Sequence, residues 1–256
     1  MFGKKRPVQV RLDMSKPAPA TAPQASMISL RKEASHSLKK HEVEGKGVKV
    51  YFVADHSGSM SQWYANGAVQ RIAAQTLALG AELDDDGSVE AWYYGYGASD
   101  VFTISLDENS PDSYVGWVDR THNSQSWGHT DTAAAIRAVS RYHAQHGGGL
   151  PGLVVFQTDG SPWTGGSQAA ARRDTETALI QASYDKDTEN LFFAFVGFGT
   201  EKTVDFLFTL DKLKGRKHDN ASAMAVEDFR RITDSQLFDG VLGEFTTEFL
   251  PEILGQ

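Results

Sequence analysis

Three oxygen-bearing side chains follow an apolar run near residue 50 at alternate positions. Asp55 carries a carboxylate, Ser57 and Ser59 each carry a hydroxyl, and Gly58 allows a tight turn between them. A strand-to-helix turn uses one or two such residues as helix N-caps. Capping does not account for three oxygens at alternate positions directly after a buried strand, so we also consider a metal-binding function for this segment.

Two later segments supply further oxygens. Thr130 precedes a helical pattern, and Asp159 ends another apolar run as part of the segment Thr158–Gly160. Taken singly, each is typical of a helix cap or a turn. Together with the first segment they form an oxygen-only set that is able to converge above one sheet. This candidate metal site consists of Asp55, Ser57, Ser59, Thr130 and Asp159.

The donor types of this set indicate which ion would bind. Mg²⁺ takes six hard oxygen ligands at about 2.0–2.1 Å, and water fills positions that the protein leaves open. We therefore predict Mg²⁺, with Mn²⁺ and Ca²⁺ as alternatives. Because only two of the five groups are carboxylates, the charge of the ion is weakly compensated. An Asp or Glu carboxylate from a protein partner is then expected to complete the coordination.

The surrounding pattern predicts the elements that position these residues. Continuous apolar runs at 48–54, 153–158 and 191–199 are typical of strands buried on both faces. Runs at 89–97 and 101–106 predict an antiparallel hairpin at one edge. Helical periodicity occurs at 63–80, with Gly80 as its stop, and at 131–146, 168–183, 203–214 and 234–250. Thr233 and Gln236 have capping-box spacing, and Pro251 discourages continuation of the last helix.

This alternation predicts an α/β fold with a mostly parallel central sheet, helices on both faces and one antiparallel edge strand. Ligands in such sheets bind beyond the carboxyl ends of the strands. We predict a basic N-terminal segment at 1–46, partly disordered and containing a Pro/Ala-rich linker at 13–27, followed by one domain at 47–254. Residues 28–40 receive no assignment from their pattern.

Composition and charge exclude several classes of function. The 256 residues contain no cysteine, which excludes disulfides, thiolate zinc sites and cysteine nucleophiles and is compatible with a cytoplasmic location. No apolar run is long enough to span a membrane, and no apolar region of a secretory signal is present. Residues 1–50 carry 11 basic and 4 acidic residues, whereas 51–256 carry 14 and 29. The acidic body argues against binding of nucleic acid.

Other motifs are weaker. A calcium loop starting at Asp84 would need an acidic twelfth residue, but that position is Gly95, so a turn is favoured. His143 and His146 have the spacing of metal ligands on a helix but lack a third ligand nearby. Phosphate-cradling glycine motifs are absent from the sequence. Two alternatives stay open: a metal-assisted hydrolase with His56 or His129 as general base, and a structural domain without metal.

The five-residue pattern resembles the metal-ion-dependent adhesion site (MIDAS) of von Willebrand factor A (vWA) domains. The resemblance covers roughly residues 47–250. A narrower likeness to vWA proteins of the tellurium-resistance, or toxic-cation resistance, type rests on VADHSGSM (53–60), LDDDGSVEAW (83–92), VVFQTDGSP (154–162), FVGFG (195–199) and LFDGVLGEF (237–245).

The resemblance implies a Rossmann-like vWA fold and a cytoplasmic stress-resistance role. It implies that Ser57 and Ser59 bind the metal directly, that Thr130 binds directly or through water, and that Asp55 and Asp159 bind largely through water. It also implies protein binding without catalysis, so the protein is not expected to be an enzyme. His56 and His129 depart from the usual pattern, and each could crowd or repel the metal.

Overall fold

The computed structural model describes residues 26–84 and 86–255. Within them, six strands form one sheet in the order β3-β2-β1-β4-β5-β6. The strands are β1 (Lys49–Asp55), β2 (Ser88–Tyr94), β3 (Phe102–Ser105), β4 (Gly152–Thr158), β5 (Leu191–Phe198) and β6 (Ala221–Val226). All neighbours run parallel except β2 and β3, which are antiparallel. The predicted fold class and the antiparallel edge hairpin are confirmed.

Helices cover both faces of the sheet. They are α1 (Met27–Lys40), α2 (Ser61–Ala65), α3 (Ala68–Leu83), α4 (Trp117–Thr121), α5 (Thr132–His146), α6 (Gln168–Tyr184), α7 (Asp205–Asp211), α8 (Asp234–Glu244) and α9 (Leu250–Ile253), with a π-helical segment at Phe245–Phe249. One hydrophobic core joins the sheet to α1, α3 and α8, and the other joins it to α5, α6 and α7. None of the helices described between residues 26 and 255 is long and apolar enough to cross a membrane.

The strand register brings the candidate site segments to one edge. Every residue of β4 and β5 is buried, as expected for strands covered by helices on both faces. Asp55 at the end of β1 pairs in register with Tyr94, and Ala54 pairs with Gln157. The loops after β1 and β4 therefore leave the sheet side by side.

Helix α1 occupies residues that the pattern left unassigned. Its N-cap Ser26 accepts a hydrogen bond from the Ser29 backbone, and its buried face contains Leu30, Ala34 and Leu38. This face packs against α3 and α8. Residues 28–40 are thus part of the folded body, whereas residues 1–25, including most of the predicted linker, lie outside the described residues.

The helix predicted at 63–80 differs in both its continuity and its end. It is divided into α2 and α3 at Gly67, whose φ of +79° is left-handed, and α3 continues to Leu83. Gly80 is therefore not a stop. A Cβ at Gly80 would lie 2.5 Å from Cγ2 of Val89, so glycine permits close packing of α3 on β2.

The C-terminal half contains two further differences. Strand β6 was missed because its sequence, ASAMAV, lacks the bulky apolar run that marked the other strands. The last helix has its predicted capping box at Thr233 and Gln236. Pro251, however, lies in the first turn of α9, where its missing N–H is tolerated, so the chain continues helically beyond residue 250.

Residues 84, 86 and 87 lie in the connection between α3 and β2. Lys49 Nζ lies 2.5 Å from a carboxylate oxygen of Asp84 and 3.4 Å from one of Asp86. Asp86 also accepts a 2.9 Å hydrogen bond from the Ser88 backbone. These contacts with a lysine and a turn amide support the turn interpretation over a calcium loop.

Candidate metal site at the carboxyl edge of the sheet

Asp55 organises the loop after β1. Its side chain is fully buried, with Oδ1 accepting a 2.8 Å hydrogen bond from the Ser57 backbone and Oδ2 accepting a 2.6 Å bond from Thr158 Oγ1. The Asp55 carbonyl accepts a 2.9 Å bond from the Tyr64 hydroxyl. Both carboxylate oxygens are thus held by the protein, and each keeps a lone pair for a water molecule or a hydroxyl.

A chain of oxygens leads from the Ser57 hydroxyl, next to this carboxylate, to the surface. Ser57 Oγ lies 3.2 Å from Ser59 Oγ, and Ser59 Oγ donates a 2.9 Å hydrogen bond to Asp159 Oδ1. Ser57 is buried and Ser59 is exposed, so the chain opens to solvent. Neighbouring ligands of an octahedral ion with bonds of about 2.0–2.1 Å lie roughly 2.9 Å apart. The spacing of these oxygens fits adjacent positions around such an ion.

Thr130 belongs to a loop held beside this chain by backbone contacts. Gly128 N donates to the His56 carbonyl at 3.1 Å, and Thr130 and Trp163 exchange backbone hydrogen bonds of 2.9 and 3.1 Å. Thr130 is 8% exposed. Within the described residues, hydrogen bonds connect the side chains of Ser57, Ser59 and Asp159, and the Asp55 carboxylate meets this group through the Ser57 backbone N–H. Thr130 is brought to the same edge without a side-chain hydrogen bond to the other four.

The electrostatics of the site favour a cation. Burial raises the pKa of Asp55 to about 7, against hydrogen bonds from Thr158 and Ser57 that lower it, and the Asp159 charge raises it further. Burial likewise raises the pKa of Asp159. Among residues 26–84 and 86–255, no lysine, arginine or histidine forms an ion pair with either carboxylate. A buried carboxylate without a counter-charge is stabilised by a proton or by a metal ion.

The donor set fits a hard divalent ion. The part of the chain described here contains no cluster of three or more His, Cys, Asp or Glu side chains suited to a metal. The candidate set instead combines two carboxylates with three hydroxyls. Oxygen ligands of this kind suit Mg²⁺, Mn²⁺ and Ca²⁺ rather than ions that prefer sulfur or imidazole.

The two unusual histidines are both packed against aromatic rings. His56 is 1% exposed and stacks on Trp127, with ring centroids 3.9 Å apart and an interplanar angle of 9°. Burial lowers the pKa of His56 to about 4, so its imidazole is neutral at physiological pH and does not repel a cation. His129 lies between Tyr96 and Trp163, with ring centroids at 4.4 and 4.5 Å.

Sequence reasoning assigned no role to Thr158 or Tyr64, the two residues whose hydroxyls hold Asp55. Thr158 lies in one of the segments that carried the family resemblance, and Tyr64 lies four residues after another. The signal for Thr158 is its position directly before Asp159 at the end of a strand adjacent to β1. Only the parallel register shows that its hydroxyl reaches Asp55 rather than a nearer neighbour in the chain.

Comparison with known families decides the classification. The family model for the vWA domain found in the C terminus of TerF matches residues 47–252. The chain belongs to this TerF-like vWA family. An uncharacterised protein of Bacillus subtilis (strain 168), YcbR, is 31% identical to it over 220 residues, which cover 84% of this chain and 83% of YcbR.

Solved structures share the vWA fold at low sequence identity. The PilB minor pilin of Streptococcus sanguinis is 13% identical with a TM-score of 0.57, and the match covers 78% of this chain and 61% of the pilin. The manganese-loaded TRAP protein of Plasmodium vivax is 18% identical with a TM-score of 0.50, and the match covers 80% and 76% of the two chains. At these low sequence identities, the likeness shows that the chains share a fold and nothing more.

Proposed function

We propose that this vWA domain is a metal-dependent protein-interaction module. A divalent cation, Mg²⁺ or alternatively Mn²⁺ or Ca²⁺, is held by Asp55, Ser57, Ser59, Thr130 and Asp159. The observation that carries the proposal is the chain of oxygens from buried Ser57 to exposed Ser59 and on to Asp159, with spacings of 3.2 and 2.9 Å. The buried Asp55 carboxylate holds the Ser57 backbone beside it, and no basic side chain is paired to either acid in the described residues.

Each residue has a distinct part in this proposal. Ser57 and Ser59 present hydroxyl oxygens to the ion, and Thr130 adds a third from the neighbouring loop. Asp55 and Asp159 orient these hydroxyls and supply negative charge. When bound, the ion would accept a carboxylate from an Asp or Glu of a protein partner, since three of the five protein groups are neutral hydroxyls and one of six coordination positions stays open to an outside oxygen ligand. The manganese-loaded state of the TRAP protein supports a divalent cation for this fold.

The same geometry favours binding over hydrolysis. A metal-assisted hydrolase needs a general base near the reacting water, with a pKa close to the working pH. The pKa of His56 is lowered to about 4, and its ring is buried beneath Trp127. His129 is packed between two aromatic rings. We therefore propose that the protein is not an enzyme.

The biological setting follows from family membership. We propose that the protein acts in the cytoplasm in resistance to tellurium or related toxic-cation stress, because its vWA domain is of the TerF type. The partner is then another protein with an accessible acidic side chain. Pull-down from a host lysate with Mg²⁺ or with EDTA would identify partners whose retention depends on the metal.

Isothermal titration of the full chain with Mg²⁺ tests metal binding. We expect Ser59→Ala to weaken binding at least tenfold, because it removes one ligand and the hydrogen bond to Asp159. Ser61→Ala is the matched control, since Ser61 is exposed two residues away and begins α2 outside the oxygen chain. Equal binding by wild type and Ser59→Ala, or no binding by wild type, would reject the proposed site.

A further inference from the structure

Exposed aromatic rings stand beside the candidate metal site. Tyr96 is 67% exposed and Trp163 is 46% exposed, and both contact the ring of His129. We call these three residues the aromatic platform. Trp127 is a further exposed ring at 41%, and it is fixed by stacking on His56. Large exposed aromatic side chains that cluster at a surface in this way are typical of protein-binding hot spots.

Two glycines allow the platform to form. A Cβ at Gly128 would lie 2.7 Å from the Tyr96 backbone nitrogen and 2.9 Å from its ring. A Cβ at Gly165, whose φ is +84°, would lie 2.6 Å from the His129 ring. The loops therefore hold these rings in contact at the surface. A rigid surface loses little conformational entropy when a partner binds.

The platform is coupled to the metal site through Thr130. Trp163 exchanges two backbone hydrogen bonds with Thr130, and His129 precedes Thr130 in the chain. A partner whose carboxylate reaches the ion would therefore have its neighbouring residues over the platform.

The charge around the platform is negative. The loop segments 55–60, 94–100, 126–131 and 158–166 contain four aspartates, Asp55, Asp100, Asp131 and Asp159, and their sequences contain no lysine or arginine. Arg172 approaches from α6, where it donates to Ser161 at 2.6 Å and pairs with Asp205 at 3.3 Å. A divalent ion would offset only half of the four negative charges, so an acidic partner needs positive charge of its own.

We propose that the aromatic platform binds a lysine or arginine side chain that flanks the metal-bound acid of the partner. Aromatic faces attract cations, and the surrounding aspartates strengthen that attraction. The partner segment is thus one acidic residue with basic neighbours rather than an acidic stretch. This inference rests on the proposed metal-dependent function and specifies the chemistry of its partner.

Fluorescence anisotropy of two labelled peptides with the full chain in excess Mg²⁺ tests the inference. One peptide has a glutamate between two lysines, and the matched peptide has serines in place of the lysines. We expect the lysine peptide to bind about fivefold more tightly, as one cation–π contact near a charged surface allows. Equal binding of the two peptides, or a preference for the serine peptide, would overturn the inference.

Variants separate the platform from the metal site. Trp163→Ala should remove the preference for the lysine peptide while leaving Mg²⁺ binding by calorimetry and binding of the serine peptide unchanged. Tyr184→Ala is the matched control, because Tyr184 is 60% exposed at the end of α6 and outside the site loops, and it should keep the preference. Ser59→Ala should weaken both peptides equally. Absence of Mg²⁺ binding in wild type would instead reject the proposed function itself.

Discussion

Replacing Asp55 with asparagine should stabilise the metal-free protein and abolish its stabilisation by Mg²⁺. Asp55 is fully buried and has no basic partner among the described residues, so its charged form is unfavourable without a cation. Asparagine keeps the shape and the acceptor for the Ser57 backbone but carries no charge. The substitution is thus expected to raise stability without metal and to remove the stabilisation by Mg²⁺. This combination is specific to a carboxylate that organises a metal ion.

The size of the gain follows from the pKa of Asp55. Burial raises it from 3.8 to about 7. One pKa unit corresponds to about 1.4 kcal/mol, so ionisation of Asp55 above pH 7 costs the native state about 4 kcal/mol. The pKa of about 7 already includes the opposing hydrogen bonds from Thr158 and Ser57, so no further allowance is subtracted for them. We expect a gain of up to about 4 kcal/mol in the free energy of unfolding near pH 8.

The stability of the wild type depends on pH through Asp55. Between about pH 4 and pH 7 the Asp55 carboxyl binds its proton more strongly in the native state than in the unfolded state. The stabilisation that comes from the protonated Asp55 carboxyl is therefore fully present below about pH 4 and is lost as the pH rises to about 7. The gain from Asp55→Asn should grow over the same range and become small in acid.

Urea unfolding near pH 8, in EDTA and in Mg²⁺, measures both effects. At a concentration about 100 times its dissociation constant, Mg²⁺ should stabilise the wild type by about 2.7 kcal/mol and the variant by nearly nothing. Asp100→Asn is the charge-matched control, since Asp100 is exposed. The reasoning is refuted if Asp55→Asn is less stable than wild type in EDTA, or if Mg²⁺ stabilises both proteins equally.

Three further predictions concern the scaffold. Gly80→Ala should lower the free energy of unfolding by about 1–3 kcal/mol in urea, because the new Cβ would meet Val89 at 2.5 Å. Leu38→Ala should lower it by about 2–4 kcal/mol in the same assay, since this fully buried side chain joins α1 to the core; an unchanged midpoint would show that α1 does not contribute to the fold. Burial, and then the Asp211 charge, raise the pKa of Glu244 from 4.5 to about 8. Glu244→Gln should therefore raise the free energy of unfolding near pH 8 by about 1 kcal/mol, after allowance for the partial exposure of this side chain. The thermal midpoint should rise accordingly near pH 8 and should not rise near pH 4.

The local sequence pattern predicted those strands and helices whose residues are characteristic of one kind of structure. The apolar runs that became β1, β4 and β5 are buried on both faces, and that burial requires such a composition. Strand β6 escaped prediction because it lies at an edge, where ASAMAV is sufficient. Helix α1 escaped because a mixed sequence becomes helical once Leu30 and Leu38 are buried against other helices.

The chemistry of the candidate site was present in the sequence, in the form of three hydroxyls and two carboxylates placed after strands. Residue type alone determines that the candidate site offers oxygen donors and that neutral hydroxyls outnumber carboxylates among them. The family followed from the same positions, and the match over residues 47–252 confirmed it.

Only the tertiary structure decided how these groups meet. The parallel register places Thr158 against Asp55, and backbone bonds across two loops place Thr130 beside Trp163. Burial, not sequence, makes His56 neutral and raises the pKa of Asp55. These properties depend on the solvent and charge that surround each group, and residues distant in the chain provide those surroundings only after folding.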